Sequence, residues 1–251
     1  MNQMIFDMSI YQLLSYFMVY SVAGWMMETV RVSYMEKRFV NRGFFHGIYC
    51  PIYGFGMCGI IIVLSPLRSH LVLIFIVGII FATGLEYITS WVMETIFHAR
   101  WWDYRDRKYN LNGRVCLSIS LAWGFLSIIM IRWVHPIVEK LVNEISFQIG
   151  STILMIFYSV LMIDCIFSLI AAFHLSSKIK ALEVIKQELL SMINNSPIHE
   201  RMDELIDKYN QIVNSIHQHN VRVLKAFPNI IKSKAIHRLN SIKDVLNGRF
   251  K

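Results

Sequence analysis

Glu28, Glu86, Glu94 and Asp164 are acids set inside long apolar runs, and that placement is the first chemical signal in the chain. A charge at bilayer depth costs at least a few kcal/mol on insertion scales, so each is expected to face a bundle interior and meet a partner. Glu86, Ser90 and Glu94 stand at i, i+4 and i+8. At about 100° per residue, the two carboxylates differ by only about 80° and share one broad helix face. Partners are available in two basic loops: Arg42 in the first, Arg100 and Arg114 in the second, where Asp103 and Asn112 add polar groups.

Carboxylates beside guanidinium groups can line a polar cavity that binds a small polar ligand, couples to protons or does acid-base chemistry. The competing view is structural, with Glu28, Glu86 and Glu94 stapling helices through buried ion pairs. Acids are expensive to retain in a membrane for stapling alone, so Glu28, Arg42, Glu86, Glu94 and Arg114 read as functional. The stretch RWWDYRDRKYNLNGR, residues 100–114, invites the opposite weighting for most of its members. Trp101, Trp102 and Tyr104 suit the headgroup boundary, where a ring stays buried while its polar edge stays wet. Arg105, Arg107 and Lys108 read as topology signals, and Arg100, Asp103, Asn112 and Arg114 are expected to turn back toward the acids.

The elements that must hold these groups follow from composition. Of 251 residues, 55% are hydrophobic and only 17% charged, with a mean hydropathy of +0.45. That is too apolar for an ordinary soluble domain, and the apolar residues come in blocks long enough for spanning helices of about 20 residues. The class is all-α and polytopic, with five helices expected at about 8–30, 50–67, 70–97, 115–134 and 149–174. The second opens on Gly43, Gly47, Pro51, Gly54 and Gly56. Its first half is therefore expected to be unwound, re-entrant or interfacial, with a shorter helix from about Tyr53. Irregular backbone at membrane depth survives where protein or a water-filled cavity surrounds it, and such breaks mark binding sites in transporters. His46 lies in this segment as a titrating group without an evident partner.

Orientation follows from lysine and arginine counts. With the N-terminus outside, the outer segments hold Arg68, Arg132 and Lys140, and the remaining 22 of the 25 cations stay inside. The chain is expected N-out and C-in, a multi-pass protein of the bacterial cytoplasmic membrane. The formal charge of +8 then reports topology and attraction to anionic lipid, not nucleic acid. No cleavable signal peptide is evident. Cys50, Cys58, Cys116 and Cys165 form no CxxC pair and read as reduced core residues, with no metal or cofactor implied.

A membrane domain over 1–174 is followed by a tail over 175–251. There Ile179, Leu182, Ile185 and Leu189, then Met202, Leu205, Tyr209, Ile212 and Ile216, recur at helical spacing around the break NNSP at 194–197. This predicts a cytosolic helical hairpin that extends the last spanning helix.

Several motifs together resemble the bacterial membrane proteins named ABC-transporter permeases of type IV. They are GWMMET at 24–29, RGFFHGIYCPIYGFG at 42–56, LEYITSWVMETIF at 85–97, RWWDY at 100–104, NLNGRVCL at 110–117, WG at 123–124 and KAFPN at 225–229. The chain departs from the usual pattern at Ile48, Arg105, Lys108 and Tyr109. The resemblance implies a transport role. No GxxxxGK[ST] phosphate loop occurs in the chain, so an ATPase partner would be a separate polypeptide. Five helices are few for a permease half, which favours an assembly, a homo-oligomer included, or a compact ligand-binding membrane subunit over an independent pump. The hydrolase elbow GxSxG and the zinc motif HExxH are also missing. An intramembrane acid-base or lipid-processing enzyme, or a scaffold working through its tail, remain the alternatives.

Overall fold

The computed structural model describes residues 4–5, 8–194, 199–219 and 221–227. A two-residue antiparallel pair, β1 (Met4–Ile5) with β2 (Met8–Ser9), leads into α1 (Ile10–Glu36). Then come α2 (Pro51–Leu64) with a 3-10 turn at Ser65–Leu67, α3 (Leu71–Phe97), and a hairpin of β3 (Asn110–Leu111) and β4 (Val115–Cys116). α4 (Leu117–Ile129), a π-helical turn (Met130–Val134) and α5 (His135–Glu144) form one continuous rod. α6 (Phe147–Asn194), α7 (His199–His219) and α8 (Val221–Ala226) complete the order. The architecture is all-α.

Among the described residues, three helices are long and apolar enough to cross a membrane: Leu71–Phe97, Leu117–Glu144 and Phe147–Leu189. Pro51–Leu67 is apolar but shorter. α1 has the length, but Gln12, Tyr11, Tyr16, Tyr20, Tyr34, Glu28, Arg31 and Glu36 dilute its apolar character. The fourth rod outruns its expected end at 134. Pro136 has no N–H to give the preceding turn, and the ladder widens to an i−5 bond just before it instead of stopping. α6 has 48 residues. At 1.5 Å per residue that is about 70 Å, more than twice the hydrocarbon core, so the helix runs well past the expected 174.

The chain divides into two compact units, Met1–Thr89 with Tyr104–Ser168, and Ser90–Asp103 with Leu169–Lys251. In the first, the core gathers Tyr16, Tyr20, Ile61, Leu64, Ile74 and Ile131. Side chains of lipid-like polarity gain little from leaving lipid, so close packing and hydrogen bonds must hold spanning helices together. Small residues supply the close approach. A Cβ on Gly24 would strike the Tyr53 ring, and one on Gly54 would strike Ser21 Oγ and the Phe17 carbonyl. α1 and α2 therefore meet backbone to backbone, and the Cys50 N–H donates to the Ser21 carbonyl at 2.8 Å. Gly78 against Ser127, and Gly124 against Phe75 and Ile79, bring α3 and α4 together in the same way.

Hydrogen bonds finish the frame. Ser9 and Gln12 form a capping box at the start of α1. Gln12 Nε2 also donates to Asn143 Oδ1 at 3.0 Å, and the buried Tyr20 hydroxyl meets His135 Nδ1 at 3.0 Å.

In the second unit, Leu182, Ile185 and Leu189 of α6 and Tyr209 and Ile216 of α7 are buried, and Lys178 Nζ donates to Ser215 Oγ at 2.8 Å. These are the apolar positions read as a hairpin stripe. KAFPN ends beyond the described residues, but Phe227 is described. Its ring meets Trp101 edge-on at 4.8 Å, and Phe97 lies 5.3 Å from Phe173.

Candidate functional site

The first unit builds a polar network from four elements. Glu28, near the end of α1, accepts from Arg31 Nη2 at 3.0 Å and faces Arg42 Nε at 3.7 Å, both on Oε2. Its Oε1 accepts from the Tyr53 hydroxyl at 2.8 Å. Tyr53 reaches it because Gly24, one turn before Glu28, lets the ring lie against α1.

Arg42 is positioned by the segment after α1. Lys37 takes a left-handed conformation at the helix end, the Val40 N–H donates to Ser33 Oγ at 3.0 Å, and the Arg42 N–H donates to Thr29 Oγ1. Asn41 accepts from Trp25 Nε1 at 2.8 Å. Burial makes the Arg42 guanidinium a weaker base than usual, an effect the Glu28 charge opposes.

Glu86 on α3 has a different setting. Oε1 accepts from the Tyr104 hydroxyl and Oε2 from Trp123 Nε1, each at 3.0 Å. Trp123 is delivered by the α3 and α4 glycine contact, and its ring lies 6.1 Å from that of Tyr53. Tyr104 comes from the loop, where the Arg107 N–H donates to its carbonyl and its own N–H donates to the Gly113 carbonyl, both at 2.8 Å. Burial, then the charge and hydrogen bond of Glu86, raise the Tyr104 phenol well above its usual range, with a smaller contribution from Glu28. The phenol stays protonated and keeps donating at neutral pH. Tyr53, Trp123 and Tyr104 thus lie between Glu28 and Glu86, joined by the contact of the Tyr53 and Trp123 rings.

Residues 110–116 make the hairpin that aims the loop. Asn112 and Gly113 both take positive φ, and the Arg114 N–H closes the turn on the Leu111 carbonyl at 3.0 Å. This is the Asn-Gly turn of a tight hairpin. Asn112 Nδ2 and Arg114 Nη1 donate to the Tyr87 hydroxyl at 3.0 and 3.2 Å, with the Arg114 guanidinium 5.3 Å from the ring centre.

Asp164 on α6 pins the glycine-rich segment. Its carboxylate accepts from the His46 and Gly47 backbone N–H groups at 3.1 and 2.8 Å, from the Tyr49 hydroxyl, and from Ser168 Oγ at 2.9 Å. His46 Nδ1 stands 3.0 Å from the same carboxylate. The Asp164 side chain is 10% exposed and that of His46 54%. Burial and the bond to Asp164 push the Tyr49 phenol above its usual range. Several backbone groups of the irregular segment 41–50 are thus satisfied by protein groups, with α2 starting on Pro51.

The acids expected on one α3 face belong to different sets. Glu86 lies in the first unit. Ser90, buried, and Glu94 lie in the second, where Arg100 Nε donates to Glu94 Oε1 at 2.8 Å. Trp101 is buried against Phe97 and Phe227, while Trp102, Asp103 and Tyr104 are half-buried and Arg107 and Lys108 exposed. Tyr53, Tyr49, Tyr87 and Trp123 were not among the residues singled out by charge, polarity or interfacial position in the sequence. The signal that marks two of them is local: Tyr53 follows Pro51 inside the glycine segment, and Trp123 precedes Gly124.

No curated protein and no solved structure matches the chain. One family model does, that described as "Putative ABC-transporter type IV", over residues 15–169. The matched span takes in Glu28, Arg42, Glu86, Tyr104, Trp123 and Asp164, and the spanning helices and this match together identify the chain as a membrane protein belonging to that ABC-transporter family.

Proposed function

We propose that this chain is the membrane subunit of a transporter, and that the network around Glu28 and Glu86 binds a small polar ligand or couples its movement from the cytoplasmic side. In this reading α1, α2, α3, the α4 to α5 rod and α6 are five spans of the bacterial cytoplasmic membrane, with the N-terminus outside. Residues 1–174 form the membrane domain, and residues 175–251 extend into the cytosol, where a separate ATPase chain docks. The positive-inside count supports that orientation, since 22 of 25 cations then lie inside.

One observation carries the functional part. Two carboxylates from different helices each take aromatic donors, Tyr53 on Glu28 and Tyr104 with Trp123 on Glu86, and the Tyr53 and Trp123 rings lie 6.1 Å apart, whereas a stapling pair needs only opposite charges. Arg42, Asn112 and Arg114 border the network on the loop side. Ser90, Glu94, Arg100 and Asp103 form a second polar set, with Trp101 and Trp102 beside it at the inner membrane boundary.

Purification from mild detergent tests the reading. A nucleotide-hydrolysing chain is expected to co-purify, and Glu86→Gln is expected to uncouple its ATPase activity from ligand while the complex stays intact. Repeated purification without such a chain overturns the reading. So does failure of Glu86→Gln and Glu28→Gln to accumulate, the result expected if these acids only staple helices.

A further inference from the structure

Glu28 and Glu86 belong to one network but differ in how their charge is met. Glu28 has two arginines on Oε2. Glu86 has two hydrogen bonds, both from neutral donors, and no ion pair among the described residues. An ionised carboxylate on a membrane-spanning helix without a cation is costly, and hydrogen bonds from a phenol and an indole replace only part of its hydration. The groups around it are Tyr104 with Cys116 behind it, Trp123, Tyr53, and Glu28 with Arg31 and Arg42. Arg114 lies over the neighbouring Tyr87. The charge that acts on Glu86 is that of Glu28, which is of like sign.

The donors differ in a way that fixes where a proton goes. Indole N–H can only donate, so Oε2 must remain an acceptor. A phenol can donate or accept. A proton on Oε1 is therefore accommodated by turning the Tyr104 hydroxyl, which then accepts from the carboxyl instead of donating to it.

We propose that Glu86 is an exchangeable proton site, with the proton carried on Oε1 and relayed by Tyr104, while Glu28 stays paired with Arg31 and Arg42. The inference rests on the network being the transporter's coupling site, and it makes that site proton-linked. Deprotonation leaves Glu86 as a carboxylate with both donors aimed at it, so the same side chain offers a proton in one state and a negative charge in the other.

The test uses the intact protein in mild detergent and an apolar carbodiimide. This reagent adds to a protonated carboxyl and rearranges to a stable N-acylurea, located by peptide mass. Wild-type protein is expected to be labelled at Glu86 about tenfold faster than at Glu28, Glu94 or Asp164, equivalent to about 1.4 kcal/mol of differential stabilisation of the protonated form. Labelling should fall as pH rises. Trp123→Phe removes a donor that favours the ionised form, so its labelling is expected to persist to higher pH.

Equal labelling of the four acids, absence of label at Glu86, or a Trp123→Phe midpoint that stays or falls overturns the proposal. The readout is independent of the partner chain. A labelled Glu86 with no co-purifying ATPase defeats the transporter reading alone, and an unlabelled Glu86 with the ATPase present defeats the proton site alone.

Discussion

Asp164 and Glu86 are both acids on long apolar helices, yet the first unit surrounds them differently. Asp164 gathers five hydrogen bonds, two from the backbone N–H groups of His46 and Gly47. Those amides are in place only while the segment 41–50 keeps its shape, so the carboxylate and the loop define one another. Glu86 has two bonds, both from side chains that can be changed without unfolding the backbone. A buried acid surrounded by main-chain donors holds structure, and one held by a few neutral side chains keeps its protonation state open to the surroundings.

The largest effect should come from breaking the first of these. Asp164→Asn leaves one acceptor oxygen for five donors and sets an NH2 against some of them. With each lost charged hydrogen bond worth about 1.5–3 kcal/mol, the expected loss is on the order of 4 kcal/mol. Thermal unfolding in mild detergent, with protease cleavage within 41–50, checks it. A variant that melts like wild type would mean the latch is ornamental and the contrast with Glu86 false.

Next comes the scaffold that both acids share. Gly54→Ala puts a methyl group against the buried Ser21 and the Phe17 carbonyl. Backbone cannot yield there as a flexible side chain would, so a loss of about 2 kcal/mol is expected from overpacking. The same melting measurement reads it, and a neutral result would show that α1 and α2 are free to separate.

Glu86→Gln should do less to stability than either, under about 1 kcal/mol. The amide oxygen still accepts from Trp123, and the NH2 can donate to the Tyr104 oxygen, which reproduces the arrangement of the protonated acid. Coupled activity is expected to vanish while the melting curve barely moves. A melting loss as large as that of Asp164→Asn would erase the distinction between the two acids.

Much of this was legible in the residues. The α3 boundaries, the non-helical glycine segment and the helical continuation beyond 174 follow from hydropathy and glycine spacing, and the cost of a charge in lipid singles out acids that the structure surrounds with hydrogen-bond donors. The partners were not legible, because neutral aromatic donors carry no sequence signal of their own. Tyr53 and Tyr104 look like any interfacial tyrosines until helix packing aims them. The spacing on α3 gives a face but not partners. Spacing puts Glu86 and Glu94 on one face, but the hydrogen bond from Arg100 to Glu94 and those from Tyr104 and Trp123 to Glu86 are set by the tertiary path of the loop, which no periodicity encodes. The hairpin was in plain view as Asn112-Gly113, a turn signal easily lost among so many charges.

Glu28 allows the finest version of the comparison, because two arginines compete for one oxygen. Arg31 is nearer, at 3.0 Å, with a side chain 58% exposed; Arg42 is at 3.7 Å and 19% exposed. Distance favours Arg31, but solvent screening acts mainly on the exposed pair, and exposed ion pairs are worth about 0–1 kcal/mol. Arg31→Ala is therefore expected to cost under about 0.5 kcal/mol and to weaken further in high salt. Arg42→Ala should cost more, about 1 kcal/mol, and depend less on salt, because it also removes packed side-chain surface beside α1. Melting curves of the two variants at low and high salt decide between them. If Arg31→Ala proves the more damaging, contact distance outweighs burial at this site, and Glu28 is held mainly by the solvent-facing arginine.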